Sequence, residues 1–163
     1  MKQKMSIFGI GPLMAICVFP VLIVTIITTI KNGDLFVFYF IPKFYLAGAA
    51  AFLISAGLIL HTCAVAVFMP GFKAGKLVVN GVYSLCRNPF YSSWILFIIP
   101  GISLAFNSWI LVLNSVALYI AFKILIGNES KMLAEVFGEV YLSYKSNTRE
   151  LLPFPKAKNK NLE

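Results

Sequence analysis

The sequence predicts an all-α, polytopic membrane helix bundle with about four transmembrane helices and a C-terminal amphipathic helix on the cytoplasmic side. Hydrophobic residues make up 60% of the 163 residues and charged residues only 12%, whereas a soluble domain carries about 25% charged residues. Apolar runs of about 20 residues, which as helices cross a hydrocarbon core of ~30 Å, recur along the chain. We therefore expect one integral membrane domain over residues 1–163.

Four apolar runs give the predicted membrane spans. They cover residues 6–30, 44–69, 90–106 and 108–126. The second run is rich in small residues, which let helices approach closely, so we expect it at the centre of the bundle. The third and fourth runs are separated by so short a turn that they must form an antiparallel hairpin.

An amphipathic segment follows the last span after a predicted break at Gly127–Asn128. Segment 129–145 carries apolar residues at helical spacing among its charges, which predicts a helix lying against the membrane or the bundle. These apolar residues are Met132, Leu133, Val136, Val140 and Tyr144. We expect segment 155–163 to form a basic, disordered tail.

Lysine and arginine residues concentrate on one side of the predicted bundle. That side holds the amino terminus, the loop 70–89 and the carboxyl tail, whereas the opposite loops hold only Lys31 and Lys43, offset by Asp34. The positive-inside rule therefore places both termini in the cytoplasm. The net charge of +8 fits anionic membrane lipids rather than nucleic acid, because the basic residues form no stripe interleaved with aromatics outside the apolar runs.

Several isolated polar residues have structural explanations. We expect Asn114 to bridge helices, Lys123 to extend to the cytoplasmic interface, and Glu150 to be a solvated tail charge. The three cysteines have no CxxC spacing, so we predict no metal site.

Two polar segments on the predicted cytoplasmic side could carry chemistry, residues 75–91 and 128–138. The first places a cation and an amide at Arg87-Asn88 directly before Pro89, which can begin a helix. Such a segment can present an arginine and backbone groups to an anionic ligand at a membrane helix end. The alternative is a loop whose arginine and tyrosines anchor to lipid headgroups.

The order of motifs resembles the isoprenylcysteine carboxyl methyltransferase family, a superfamily that includes phospholipid N-methyltransferases and many bacterial members. The resemblance covers roughly residues 75–153. It rests on Gly81-Val-Tyr83, Arg87-Asn-Pro-Phe-Tyr91, a hydrophobic hairpin, Glu129, Leu133, Phe137-Gly138, Tyr141, Tyr144 and Leu152-Pro153. Asn88, rather than histidine, is similar to the bacterial and phospholipid-methylating relatives.

This resemblance implies S-adenosylmethionine as the methyl donor, bound between the cytoplasmic ends of the last spans and the terminal helix. By position, the cofactor site would comprise Lys76, Leu77, Val78, Tyr83, Arg87, Asn88, Pro89, Tyr91 and Glu129. Glu129 would contact the amino or ribose groups of the donor. The sequence contains no GxGxxG, so no Rossmann cofactor domain is expected. We name no catalytic base, because methyl transfer is an in-line displacement in which the protein mainly aligns donor and acceptor.

The sequence leaves the acceptor and the oligomeric state open. The acceptor would be a lipophilic molecule reaching the site from the bilayer: a lipid amine, a thiol, or a carboxylate of a lipidated molecule. Two other interpretations stand beside methyl transfer. One is an NADPH-dependent enzyme similar to sterol reductases, and the other is a non-enzymatic membrane scaffold or transporter subunit.

Overall fold

The structure, a computed structural model, describes residues 9–154, which form five helices and no β-strand. The helices are α1 (Gly11–Lys31), α2 (Lys43–Lys73), α3 (Pro89–Ala105), α4 (Val112–Phe137) and α5 (Glu139–Asn147). Among the described residues, α1, α2 and the segment Trp109–Phe137 are long and apolar enough to cross a membrane, and α3 is a shorter apolar helix. The predicted all-α membrane bundle is confirmed. Residues 6–8 of the first predicted span and the predicted basic tail at 155–163 lie outside the described residues.

Two helices continue past residues that the sequence treats as helix ends. Helix α2 runs through Pro70 to Lys73, since a proline in the last turn removes only its own N–H from the hydrogen-bond pattern. Helix α4 runs through Gly127, because a single glycine in a helix costs only about 1 kcal/mol relative to alanine. It ends instead at Gly138, whose φ of +54° favours glycine. The predicted single helix 129–145 is therefore wrong: its first part is the end of α4 and its second part is α5.

Helix α3 packs between α2 and α4, and α4 packs against α1. A buried hydrophobic cluster lies between α1, α3 and α4 and includes Met14, Ile95 and Phe122. Helix α2 is thus at the edge of the bundle, and its expected central position is wrong. Several of its small residues, such as Ala47 and Gly48, are exposed, because small side chains permit close approach without requiring it.

Close packing of α2 is concentrated at two glycines. A Cβ added to Gly57 of α2 would lie 2.6 Å from Ile98 Cγ1, and one added to Gly101 of α3 would lie 2.7 Å from Ile54 Cγ1. Both distances are well below ordinary carbon–carbon contacts of about 3.5–4.0 Å. These two positions therefore set how closely α2 and α3 approach.

Polar side chains inside the bundle join neighbouring helices. Asn114 Nδ2 donates to Thr25 Oγ1 at 2.8 Å, which links α4 to α1 and confirms the predicted bridging role. The hydroxyl of Ser115 donates to the carbonyl of Ile95, which lies in a π-helical turn of α3 at Ser93–Ile98. Such bonds satisfy polar groups that the hydrocarbon core cannot hydrate.

The bundle has two ends, which the helix directions define. The site end contains Gly9–Gly11 at the start of α1, residues 74–88, the last turns of α4, and α5. The far end contains the connection 32–42 between α1 and α2 and the turn 106–108 between α3 and α4. At the far end the backbone N–H of Phe38 donates to Asn107 Oδ1 at 3.1 Å, which ties the connection to the turn.

Candidate functional site

Tyr91 and Glu129, which are far apart in sequence, meet at the site end. A Cβ added to Gly9 would lie 3.0 Å from both the Tyr91 hydroxyl and Glu129 Oε2. Gly9 has a φ of +49°, a conformation that favours glycine. The backbone at the start of α1 therefore lies directly against a phenol from α3 and a carboxylate from α4.

The continuity of α4 explains why Glu129 faces inward. Phe122 and Ile126 are buried on α4, and Glu129 follows Ile126 by three residues, so these side chains share one face of the helix. The Tyr91 ring packs on that face, with its centroid 5.5 Å from that of Phe122. The acid thus extends the core-facing stripe of α4 to the site end.

The Glu129 carboxylate is incompletely satisfied. It interacts with the backbone of Ile10, but its Oε2 atom is buried and has no hydrogen-bond partner among the described residues. An unpartnered buried polar atom costs about 1–3 kcal/mol, and more when the group is charged. A ligand that donates a hydrogen bond or carries positive charge would remove this cost.

Arg87 is held by the segment that follows α5. Its backbone N–H donates to the carbonyl of Arg149 at 2.8 Å, and its Nη2 lies 3.8 Å from Glu150 Oε1. Its side chain is 13% exposed, yet the buried Nε has no partner among the described residues. The arginine is therefore positioned from both backbone and side chain but retains an unused donor.

Glu150 contacts two other side chains at the site end as well as Arg87. Its Oε2 lies 2.5 Å from Lys123 Nζ, and its backbone carbonyl accepts a hydrogen bond from Asn88 Nδ2 at 3.0 Å. Glu150 was expected to be a solvated tail charge; its side chain is still 31% exposed, but it also forms ion pairs that the expectation did not include. Lys123 extends toward the site end as expected, where it is bound to this carboxylate.

Tyrosines complete the site end. The Tyr144 hydroxyl donates to the carbonyl of Tyr83 at 2.6 Å, which fixes the turn Gly81–Ser84 against α5. Burial raises the pKa of both phenols well above the usual value, with neighbouring Cys86 adding to the effect, so both stay protonated. Burial also raises the pKa of the Cys86 thiol to about 11, which keeps this fully buried cysteine neutral.

The remaining predicted residues lie at the same end but in different surroundings. Pro89 is buried and begins α3, as its position before an apolar run predicts. Lys76 is exposed, and its backbone N–H donates to the Gly71 carbonyl at 2.9 Å. Val78 packs against Gly71, and Leu77 is half-buried. These contacts place segment 76–78 against the end of α2, and its contact with a cofactor stays a prediction.

Sequence reasoning missed two parts of the site end. One is the start of α1, where Gly9 and Ile10 approach Glu129; a glycine pair around Ile10 followed by a proline was the available signal. The other is the segment Arg149–Glu150, which pairs with residues 86–88 through backbone and side chain. No local pattern indicates that pairing, because it joins residues about sixty positions apart.

Comparison with known proteins adds one match. The family model described as phospholipid methyltransferase matches residues 44–140, which include nearly all of α2, all of α3 and α4, and the first residues of α5. No curated protein and no solved structure matches the chain. The matched range contains Tyr83, Arg87, Tyr91 and Glu129.

Proposed function

The chain belongs to the phospholipid methyltransferase family, and we propose that it transfers a methyl group from S-adenosylmethionine to a lipophilic acceptor at the cytoplasmic face of the membrane. The acceptor would enter the site end from the bilayer. Membership of the family indicates a methyltransferase that acts on membrane substrates. The proposal adds the donor, the site residues and the cytoplasmic orientation.

One observation carries the proposal. Among residues 9–154, four buried side-chain atoms lack a hydrogen-bond partner, and two of them are Arg87 Nε and Glu129 Oε2. Both belong to groups that are ionised in their ordinary form, and both lie at the site end. S-adenosylmethionine has a carboxylate that suits a guanidinium, and an ammonium and ribose hydroxyls that suit a carboxylate. The residues therefore fit this donor.

Each residue then has a distinct task. Arg87 would hold the donor carboxylate, and Glu129 would hold the ammonium or the ribose hydroxyls. Tyr83 and Tyr91 would offer aromatic surface to the positively charged part of the donor. When bound, S-adenosylmethionine supplies an electrophilic methyl group on a sulfonium sulfur. Packing of Gly9 over Tyr91 and Glu129 would restrict water, which favours alignment of the reactants.

The orientation follows from the charges at the two ends. The site end carries Lys73, Lys76 and Arg87, whereas Asp34 at the far end offsets part of the charge of Lys31 and Lys43. The positive-inside rule then assigns the site end to the cytoplasm. A donor made in the cytosol would have direct access to this end.

Calorimetric titration of detergent-purified protein with S-adenosylhomocysteine tests the proposal. We expect binding by the wild type and a loss of affinity of about tenfold or more in Glu129→Gln and in Arg87→Gln, the effect of removing one charge-assisted hydrogen bond. Glu135→Gln and Arg149→Gln are matched controls, since both side chains are exposed. They should bind as the wild type does.

Two results would count against methyl transfer from this donor. Folded wild-type protein that shows no binding at millimolar ligand would exclude the donor site. Binding of labelled NADPH in place of labelled S-adenosylmethionine would support the reductase alternative. If Arg87→Gln and Glu129→Gln both bind S-adenosylhomocysteine with wild-type affinity, the two residues are anchors rather than ligand-binding groups.

A further inference from the structure

A cavity of about 770 Å³ lies at the far end, between the end of α1, the start of α2 and the turn after α3. Its volume is within the ~300–1,000 Å³ that small-molecule sites commonly occupy. Leu46 and Ala50, which are 4% and 3% exposed, line its inner side. The exposed Asp34 and Lys43 line its outer side. The cavity is thus apolar along α2, where Leu46 and Ala50 lie, and charged at its surface.

Asp34 and Lys43 form no ion pair with each other or with any other described residue. The lining of the cavity therefore includes one carboxylate and one ammonium that are not paired with a described residue. A ligand that carries both an anionic and a cationic group would satisfy both at once, whereas a purely anionic ligand would meet repulsion from Asp34.

The level of the cavity in the membrane is marked by aromatic side chains. Tyr39, Phe40, Tyr45 and Trp109 are exposed around the same end of the bundle. Tyrosine and tryptophan collect where hydrocarbon meets the lipid headgroups. In a bilayer, the charged part of the lining would therefore lie at the headgroup layer, and the apolar residues of α2 would lie at the level of the acyl chains.

A second cavity, of about 420 Å³, shares Thr29 and Phe106 with the first. Its lining is almost wholly apolar and includes Leu22, Ile26 and Ile102. The polar groups of the first cavity and the hydrocarbon lining of the second are therefore adjacent. This arrangement suits a headgroup joined to an acyl chain better than a free polar solute.

We propose that the far-end cavity binds a zwitterionic phospholipid, with its phosphate at Lys43, its quaternary or primary ammonium at Asp34, and an acyl chain in the adjacent apolar cavity between α1 and α3. A lipid in this position would contact α1, α2 and α3 together. It would stabilise the bundle, since a ligand that binds only the folded state raises its stability.

This lipid is not the methyl acceptor. Helix α2 runs 31 residues from Lys43 at the far end to Lys73 at the site end, a length of about 45 Å. A headgroup held at Lys43 therefore remains a membrane thickness away from Glu129. The proposed lipid site therefore does not depend on the proposed methyl transfer, and each can be tested without the other.

The test measures lipid retention by native mass spectrometry of detergent-purified protein, with thermal unfolding as a second readout. The probe is dioleoylphosphatidylcholine, whose amine is fully methylated and cannot accept another methyl group. Dioleoylphosphatidylglycerol, with the same chains, tests the headgroup, and free phosphocholine tests the chains. We expect phosphatidylcholine to be retained at least about fivefold more than phosphatidylglycerol and to raise the unfolding temperature, and phosphocholine to do neither.

Variants locate the binding. Lys43→Gln and Asp34→Asn should each lower retention of phosphatidylcholine about fivefold, the order of one partly solvated charge contact. Lys31→Gln, at the same end but outside the cavity lining, should retain the lipid. Ala51→Phe fills the cavity without changing charge and should abolish retention, whereas Ala49→Phe, which does not line it, should not.

Three outcomes would overturn the proposal. Equal retention of phosphatidylglycerol would show that the site does not select a zwitterion. Equal binding of phosphocholine would show a soluble ligand rather than a lipid. Retention unchanged in the cavity variants but lost in Glu129→Gln would place the lipid at the site end instead.

Discussion

Replacing Gly57 with alanine should destabilise the bundle at the contact between α2 and α3. The added Cβ would lie 2.6 Å from Ile98 Cγ1, 2.9 Å from Phe97 Cβ and 3.2 Å from the Ile98 backbone nitrogen. To restore ordinary contacts, the two helices must separate by roughly 1 Å. Overpacking of this kind costs about 1–3 kcal/mol, and since the close atoms include backbone, a side-chain rotation alone cannot relieve it.

Gly48→Ala is the matched control, because no described atom lies within 4 Å of its added Cβ. Both changes bring the same gain of about 1 kcal/mol in helix propensity, so the difference between the two variants isolates the packing cost. Unfolding by SDS in mixed micelles measures the free energy, and Trp94, whose ring centroid is 5.9 Å from that of His61 in α2, reports on this contact by fluorescence. Equal stability of the two variants would refute the reasoning.

Contacts within the bundle and at the site end give three more expected outcomes. Asn114→Leu should lower the free energy of unfolding by about 0.6–1.7 kcal/mol, because Thr25 Oγ1 no longer accepts the hydrogen bond that joins α4 to α1 and keeps only its own donation to the Leu22 carbonyl. Burial raises the pKa of the Cys86 thiol from 9.0 to about 11, so the unfolded chain loses this proton at lower pH than the folded protein does. The free energy of unfolding of the wild type should therefore fall as the pH rises from 9 toward 11. In Cys86→Ala, the free energy of unfolding should fall less over the same range. Tyr144→Phe removes the hydroxyl donor to the Tyr83 carbonyl and should weaken S-adenosylhomocysteine binding about fivefold.

Each of these outcomes has a control at a comparable position. Thr28→Val should match the wild type in micelle unfolding, since the Thr28 hydroxyl bonds only within its own helix. Cys63→Ala, at an exposed cysteine, is the matched cysteine control and should leave the free energy of unfolding at neutral pH unchanged. Tyr119→Phe, on an exposed face of α4, should leave ligand affinity unchanged. A control that behaves like its test variant would contradict the corresponding contact.

The fold class could be predicted because membrane helices appear in sequence as long apolar runs, whatever their packing. Helix ends and helix positions are less visible. Pro70 and Gly127 look like helix ends, yet each lies in a helix whose neighbours outweigh the local cost. The small residues of α2 suggest a central helix, but only Gly57 uses its lack of a side chain against α3.

The candidate site was predictable where residues lie close in sequence or belong to an ordered motif. Tyr91 and Glu129 were expected in one site, and they meet at Gly9. The segments that enclose them were not expected, because they come from both ends of the described chain. The contact of Gly9 with Glu129 depends on the direction of α1 in the bundle. The contact of Glu150 with Arg87 depends on how the chain returns after α5. No short sequence pattern indicates either one.

The four unpartnered buried atoms also bear on how the site and the stability of the protein are related. Ser92 Oγ and Asn114 Oδ1 belong to neutral groups, whereas Arg87 Nε and Glu129 Oε2 belong to a guanidinium and a carboxylate, for which incomplete hydrogen bonding costs more. The bundle satisfies other buried polar groups internally, such as Ser103, whose hydroxyl donates to the Ser108 carbonyl at 2.6 Å. The charged exceptions are both at one end. A ligand that carries both charges would recover the free energy that these two groups cost the unliganded protein. Under the proposed function, the two residues that weaken the unliganded fold would therefore also provide the affinity for the donor.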